Sequence, residues 1–228
     1  MRSNRRFVVT AALAALLLPV RAGFTQVSPV DEEFRYRWQL RNFVGSIAGL
    51  FLPNQGEGEL TFRRENGHLK SELLITSSAS KEGEYFRYGS MMDANTLQPV
   101  RAWSACSWRG ESKQKSSEIE TAGVLDVASG IYAIRNNPPT QTRRMEIWSD
   151  GKIYPVVVIP LGSESRKIGN RKMDVRHYSI RGLELPGRRK WKGKLDLWLA
   201  KDEAATPVEI LISRNLADVR LQLQSPAL

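Results

Sequence analysis

Side chains that could support catalysis or metal binding are few in this sequence and form no recognised catalytic pattern. The 228-residue chain contains two histidines, His68 and His177, and one cysteine, Cys106. Neither histidine belongs to a His-x-His or His-x-x-x-His pattern, so the ligands of a zinc site are missing. The chain also has no Gly-x-Ser-x-Gly nucleophile elbow and no Walker loop. The sequence therefore predicts a protein that is not an enzyme and that uses neither a metal nor a cofactor.

Pairs of carboxylates are the one arrangement that could support hydrolysis. Glu57 and Glu59 share one face of a predicted strand, as do Glu118 and Glu120. Two carboxylates are the catalytic groups of most glycoside hydrolases. Solvated charges on a sheet edge give the same spacing and are far commoner. We therefore expect these residues to be solvated surface charges.

A basic loop is the clearest candidate for ligand binding. Residues 187–194 carry five cations and one aromatic ring, and glycines flank most of them. The candidate binding residues in this loop are Arg188, Arg189, Lys190, Trp191 and Lys192. Such a loop can hold phosphate groups through charge-assisted hydrogen bonds while the indole inserts at a lipid or sugar face. The alternative is a solvated hairpin loop whose tryptophan folds onto the rim of the protein.

The first 22 residues have the three parts of a secretory signal. Arg2, Arg5 and Arg6 form a positive region, residues 7–18 form an apolar run, and small residues precede a cleavage point after Ala22. The apolar run is too short to cross ~30 Å of hydrocarbon as a helix. We therefore predict a periplasmic or secreted protein without a transmembrane segment in its mature chain. Export by the Sec route and by the twin-arginine route both stay open.

Cleavage would leave a moderately basic mature chain. The formal net charge falls from +10 to +6, because the removed segment holds four arginines and no acidic residue. This excess favours anionic partners of the envelope, such as phosphate-bearing lipid or glycan, rather than nucleic acid. We expect residues 23–33 to be a loose leader and residues 34–228 to form a single β-rich domain.

Alternation of apolar and polar residues dominates this domain and predicts antiparallel strands. The predicted strands are 34–41, 57–65, 68–77, 84–92, 98–109, 114–121, 143–149, 152–159, 171–181, 193–200, 206–213 and 217–224. One helix is predicted at 127–135, with Asp126 as its N-cap and a Pro138-Pro139 stop. These elements predict a mainly β protein with one short helix. Its long curved antiparallel sheet forms either a half-closed, open barrel or a sandwich.

Aromatic residues in the strands could line a ligand pocket. The tryptophans concerned are Trp38, Trp103, Trp108, Trp148 and Trp198. On a half-barrel they could surround an acyl chain, whereas as ordinary core residues they need no ligand. Cys106 lies between two small residues, which favours a buried structural thiol. With one cysteine, the chain can form no internal disulfide.

Three blocks of sequence resemble the bacterial family called domain of unknown function 3108. Residues 126–135 are similar to its Asp-x-x-Ser-x-x-Tyr-x-x-Arg signature, residues 150–158 to a hairpin, and residues 195–210 to its closing strand pair. Val127 replaces a frequent proline, and the basic loop at 187–194 is unusual for the family. The resemblance implies a secreted, envelope-associated, β-rich protein without an assigned activity. The form expected for the family is similar to that of periplasmic lipoprotein carriers.

Tyr132 and Arg135 complete the set of candidate binding residues. They are three residues apart and therefore share a face of the predicted helix. If Arg135 points into the concavity of the sheet, it needs an acidic partner or a ligand anion, because a lone buried charge is costly. Asp126 and Ser129 instead suit the helix start, where their side chains can satisfy free N–H groups.

Three functions stay compatible with these features. The first is a non-enzymatic cell-envelope protein that binds or carries a lipid-like or amphipathic component, with contact to a membrane surface. The alternative is a structural or interaction module that contacts an envelope protein or an anionic glycan. The least favoured is a hydrolase of an envelope polymer that would use Glu57, Glu59 or His177.

Overall fold

The fold is built almost entirely from β-strands. The computed structural model describes residues 31–41, 54–77, 83–108, 110–214 and 217–224. The predicted signal peptide at 1–22 and most of the predicted leader at 23–33 lie outside the described residues. The described part of the chain forms thirteen strands and one helix.

The helix lies in the middle of the chain order, between seven strands and six strands. The strands before the helix are β1 (Glu32–Arg41), β2 (Gln55–Glu65), β3 (His68–Ser77), β4 (Tyr85–Asp93), β5 (Pro99–Trp108), β6 (Glu111–Glu118) and β7 (Val124–Leu125). The helix is α1 (Val127–Asn136). The strands after it are β8 (Arg143–Ser149), β9 (Lys152–Ile168), β10 (Arg171–Gly182), β11 (Lys194–Ala200), β12 (Pro207–Arg214) and β13 (Ala217–Leu223).

All thirteen strands belong to one curved sheet. Their order is β6-β5-β4-β3-β2-β1-β13-β12-β11-β10-β9-β8-β7, and neighbours are antiparallel except β7 and β8, which are parallel. The curvature brings β5 into contact with β7 and β8. Ser104 Oγ donates a 3.1 Å hydrogen bond to Asp150 Oδ1 across this gap. The end strands β6 and β7 are not paired with each other, so the described sheet is an open barrel. The predicted fold class is confirmed, and the sandwich alternative is not formed.

Most predicted strands are confirmed to within a few residues, and three differences have physical causes. β1 begins at Glu32, inside the segment predicted as a loose leader, because Glu32 pairs with Phe62 of β2. β9 continues to Ile168, well beyond the predicted end at 159, through exposed residues that show no apolar alternation. β7 has two residues, which is too short for a period to be read.

The main hydrophobic core lies on one face of the sheet, which we call the concave face because α1 packs there. The largest fully buried apolar side chains of this core are Tyr36, Leu60, Phe62, Leu69, Leu73, Met92, Ile131, Leu197, Leu199, Ile210 and Leu221. α1 contacts β3 and β4 on one side and β7 and β8 on the other. Because strand side chains alternate between faces, every second residue of each strand points toward α1.

The outer half of the β9–β10 hairpin leans across the opposite, convex face. Arg166 of β9 pairs with Glu209 of β12, which lies three strands away in the sheet. The guanidinium of Arg166 lies 4.2 Å from the Trp198 ring, and the His177 ring stacks on that indole at 4.2 Å. Glu209 is 1% exposed and also accepts a 2.6 Å hydrogen bond from Arg220. These contacts fix the hairpin to the outside of the sheet.

Candidate functional site

The start of α1 is fixed by the capping box that its sequence predicts. Asp126 accepts hydrogen bonds from the backbone N–H groups of Ser129 (2.9 Å) and Ala128 (3.1 Å). Ser129 Oγ in turn accepts from the Asp126 N–H at 2.9 Å. Ser90 of β4 donates to the same carboxylate at 2.8 Å. Burial raises the pKa of Asp126, and these hydrogen bonds oppose that rise. The cap therefore joins the helix to the sheet, and its predicted role is confirmed.

Arg135 near the end of α1 receives its acidic partner from the protein. Its guanidinium forms a two-point ion pair with Glu32, at 2.9 and 3.0 Å, and donates to the carbonyls of Ala204 (2.9 Å) and Ala205 (3.2 Å). The Arg135 side chain is 5% exposed. Groups of the protein thus neutralise the buried charge of Arg135 and accept its hydrogen bonds, so no ligand anion is needed. The residue ties α1 to β1 and to the loop before β12.

Tyr132, the other helix candidate, belongs to the core. Its ring centroid lies 4.9 Å from that of Phe62, and its residue is 6% exposed. Burial raises the pKa of Tyr132. The two candidates on α1 therefore lie against protein groups.

The basic loop between β10 and β11 divides into exposed cations and a buried ring. Arg188, Arg189, Lys190 and Lys192 are exposed. Arg188 pairs with Glu146 at 2.7 Å, and Lys190 pairs with Glu184 at 3.2 Å. Trp191 is 8% exposed and packs in the core. The loop therefore has the form of a solvated hairpin whose tryptophan points inward.

Two glycines make room for this inward tryptophan. A Cβ at Gly182 would clash with the backbone of Trp191, and a Cβ at Gly193 would lie 2.6 Å from its ring. Trp191 therefore fills a position on the concave face where β10 and the start of β11 offer no side chain. It closes one side of a small apolar cavity beneath α1, which we call the helix cavity. The helix cavity has a volume of about 30 Å³ and is bounded by α1 and β8 to β11.

A larger depression lies at the other end of the concave face, and we call it the open groove. It has a volume of about 280 Å³ and is lined by Phe86, Tyr88, Ser104, Ala105, Cys106, Lys113, Lys115 and Asp150. Strand register explains the lining. Phe86 pairs with Cys106 and Cys106 with Lys113, while Tyr88 pairs with Ser104 and Ser104 with Lys115. Directly opposed residues of paired strands point to the same face. Two rows of side chains therefore run from an aromatic pair on β4 to a lysine pair on β6.

The open groove combines an apolar floor with a cationic rim. Trp108 packs on Phe86 with 5.7 Å between ring centroids and extends the aromatic floor. Lys113 at the rim pairs with Glu111 at 3.3 Å, and both side chains are about three-quarters exposed. The volume is close to the lower end of the ~300–1,000 Å³ typical of small-molecule sites. The arrangement suits an apolar segment that lies next to an anionic group.

The tryptophans lie on different faces of the sheet, so the alternative in which they line one pocket is not formed. Trp103 lies on the convex face, where it covers Gly89 and its Nε1 donates to Glu72 at 3.4 Å. Trp198 is on the same face under the β9–β10 hairpin, whereas Trp38 is on the concave face and donates to Thr76 O at 2.7 Å. Cys106 is half-buried and lines the open groove, not buried as expected. Alternation places each ring on a face but does not say which neighbours it meets.

The hydrolase candidates do not meet. Glu57 and Glu59 on β2 alternate with the buried residues Gly58 and Leu60 and so point to the convex face, as His177 does on β10. Five strand intervals separate β2 from β10, which corresponds to ~24 Å. Glu57 is exposed. Among the residues that the structure describes, no three His, Cys, Asp or Glu side chains form a possible metal site.

His177 instead belongs to a polar cluster with Asp196. Its Nε2 lies 3.3 Å from Asp196 Oδ1. Burial alone would raise the pKa of Asp196, but hydrogen bonds from His177, Lys194 and Ser179 outweigh it and lower that pKa to about 2. Asp196 is 2% exposed, and its carboxylate is already bonded to groups of the protein. The cluster therefore joins β10 to β11.

The fold and the two concave compartments define a class of open β-barrel proteins with an internal helix. A family described as protein of unknown function (DUF3108) matches residues 102–224, which is more than half of the chain. The chain belongs to this family, and the resemblance seen in the sequence is confirmed. No functionally curated protein matches the chain significantly.

Three solved structures are similar to the chain, and the first of them supports the fold. A beta-barrel-like protein of domain of unknown function DUF1849 from Brucella abortus is 9% identical, with a TM-score of 0.54 over 86% of this chain and 96% of that chain. The hypothetical lipoprotein YmcC from Escherichia coli K12 is 10% identical, with a TM-score of 0.35 over 89% and 91%. Lipoprotein LppX from Mycobacterium tuberculosis is 12% identical, with a TM-score of 0.31 over 84% of each chain. Within the described ranges, no helix is both long and apolar enough to cross a membrane.

Proposed function

We propose that the protein is a non-enzymatic component of the cell envelope that binds an amphipathic envelope molecule in the open groove. The observation that carries this proposal is the lysine pair on β6 beside the aromatic pair on β4, within one depression of about 280 Å³. The signal-like residues 1–22 support the location, because they predict export and removal of the leader.

The chemistry of the groove selects the ligand class. Phe86 and Tyr88 offer apolar surface that gains free energy when it is removed from water. Lys113 and Lys115 extend from the edge strand and can reach an anion held at the rim, such as a phosphate or a carboxylate. A groove of this volume takes one alkyl segment with its head group, not a whole two-chain lipid.

Protection of Cys106 measures occupancy directly. It is the only cysteine of the chain, and it lies in the groove between the aromatic and lysine pairs. We expect dodecyl phosphate, below its micelle concentration, to slow modification of Cys106 by a maleimide. Dodecyl maltoside, which has the same chain and an uncharged head group, should protect less.

A pair of charge variants tests the role of the rim. The double variant Lys113→Gln/Lys115→Gln should weaken protection by dodecyl phosphate about 2- to 30-fold, because each exposed ion pair contributes ~0.2–1 kcal/mol. The matched control is Lys167→Gln/Lys172→Gln, which removes the same charge from the exposed tip of the β9–β10 hairpin. Absence of protection in the parent, or equal loss in both variants, would refute the proposal.

The basic loop supports a second candidate, an interaction module for an anionic glycan or an envelope protein. Its four exposed cations, Arg188, Arg189, Lys190 and Lys192, are concentrated within five residues of one hairpin. They lie outside the residues that line the open groove. Crosslinking in cells separates the two functions, because a single protein partner without co-purified lipid would favour the module.

A further inference from the structure

Arg143, at the start of β8, is a half-buried cation that pairs with no carboxylate of the described residues. Its Nη1 donates to the Asn137 carbonyl at 3.2 Å, and its Nη2 lies 3.9 Å from Met145 Sδ. Its Nε is buried and makes no hydrogen bond to any described residue. Burial lowers the pKa of Arg143, and no carboxylate in the described ranges offsets that effect. An arginine keeps its charge even so, and a desolvated charge of this kind favours an anion.

The position of Arg143 places it at the edge of the helix cavity. Residues 143, 145 and 147 alternate along β8 and share its concave face, and Met145 and Ile147 line the cavity. Val158, which is directly opposite Arg143 on β9, also lines it. The Asn137 carbonyl marks the C-terminal end of α1. The guanidinium therefore lies where the cavity meets that end of the helix.

A glycine in α1 leaves open space next to the same cavity. Gly130 is buried in the middle of α1 and lines the cavity, yet a Cβ at this position would meet no atom within 4 Å. Glycine is less favourable than alanine inside a helix. No close approach of the described residues requires a glycine here. The apolar lining, the space above it and the unpaired cation at its edge together match an alkyl chain that ends in an anion.

We propose that the helix cavity is a second binding site, which takes a single-chain carboxylate with its head group on Arg143 and its alkyl chain beneath α1. The present volume of about 30 Å³ holds no more than a few small groups, since one water needs ~10–15 Å³ of such space. A longer alkyl chain therefore needs displacement of Trp191, which closes one side of the cavity. This site is separate from the open groove, with which it shares no lining residue.

Calorimetric titration with decanoate, and with decanol as its uncharged counterpart, tests the head-group contact. Arg143→Gln should weaken decanoate binding about 10- to 100-fold, as expected for loss of charged hydrogen bonds, and should leave decanol binding unchanged. Arg144→Gln is the matched control, because Arg144 is the next residue along β8 and its side chain is exposed on the opposite face. Arg143→Lys should recover part of the affinity. Thermal melts of each variant show whether it is folded.

Two further variants locate the alkyl chain. Gly130→Ala should narrow the helix cavity and weaken binding of both decanoate and decanol without lowering the melting temperature, because a Cβ here meets no atom within 4 Å and alanine is more favourable than glycine inside a helix. Lys113→Gln/Lys115→Gln removes the anion contact of the open groove and should leave the Arg143-dependent part of decanoate binding intact, so failure of this site and failure of the open groove are distinguishable. The proposal is overturned if the folded parent does not bind decanoate, or if Arg143→Gln and Arg144→Gln bind it equally. It is also overturned if the lysine variant alone loses binding.

Discussion

The ion pair between Arg135 and Glu32 provides the sharpest test of what α1 does. Arg135 is a candidate ligand-binding residue from the sequence, but its guanidinium is bonded to Glu32 and to two backbone carbonyls. Breaking a buried ion pair from one side costs ~3–5 kcal/mol, because a charge is left without its partner. We expect Glu32→Ala to approach this range, since Arg135 is 5% exposed. Arg135→Met should cost less, because the carboxylate left behind is 29% exposed and can be hydrated.

A double-mutant cycle separates the pair from its surroundings. The double variant Glu32→Ala/Arg135→Met should be more stable than the sum of the two single losses predicts, because neither charge is then stranded. Urea unfolding followed by circular dichroism supplies the free energies, and Arg176→Met, at an exposed position of β10, supplies the control. The control should change stability by no more than ~0.5 kcal/mol. If Arg135→Met leaves the free energy of unfolding unchanged but abolishes ligand binding, the structural role assigned to Arg135 is refuted.

Three further predictions concern the cap, the Asp196 cluster and the basic loop. Asp126→Ala should lower the free energy of unfolding by ~0.5–2 kcal/mol through the lost cap, without changing the affinity of the open groove for dodecyl phosphate, whose lining does not include Asp126. A larger change in that affinity than in stability would contradict this role. Asp196 has a folded-state pKa of about 2, below its ordinary value of 3.8, so it stabilises the fold above pH ~4 and loses that effect as pH falls toward ~2. Asp196→Asn should therefore cost ~1–2 kcal/mol at pH 5 and almost nothing at pH 2 by urea unfolding, and a pH-independent cost would contradict the assignment. Replacing the four exposed loop cations by Gln should reduce the fraction of protein that sediments with anionic vesicles at low salt. The replacement should have little effect at 1 M salt, because the Debye length is then only ~3 Å. If the variant binds vesicles like the parent at low salt, the loop is only a solvated hairpin.

The sequence predicts local features of this fold well because each depends on near neighbours. Alternation at Phe34, Tyr36 and Trp38 identifies β1, because one face of that strand is buried and the other is solvated. Asp126 and Ser129 identify the start of α1, because the capping box needs only residues three apart. The end of α1 follows in the same way from the proline pair after Asn137.

The sites are less predictable because they depend on register and on distant strands. Phe86, Cys106 and Lys113 form one row of the open groove, yet nothing local in the sequence fixes how β4, β5 and β6 align. Arg143 and Arg144 are of one type, and although alternation puts them on opposite faces of β8, only the packing of α1 against β8 shows that Arg143 is the half-buried one. The sequence does show that Phe86 and Tyr88 share a face of β4 and that Lys113 and Lys115 share a face of β6. It does not show that these two pairs lie in adjacent rows of one sheet.

The partners of the buried charges point to the surroundings of Arg143 as functional. On the convex face, the buried carboxylate of Glu209 is held by Arg166 and Arg220, and the hairpin that covers Trp198 closes this network. Because both arginines neutralise the Glu209 carboxylate, it needs no ligand cation. On the concave face, Arg143 has two weak or neutral contacts and no carboxylate within the described ranges. The protein therefore satisfies the buried charges of Glu209 on the convex face and of Arg135 on the side of α1, whereas half-buried Arg143 meets no described carboxylate, so an anionic ligand is expected beside Arg143.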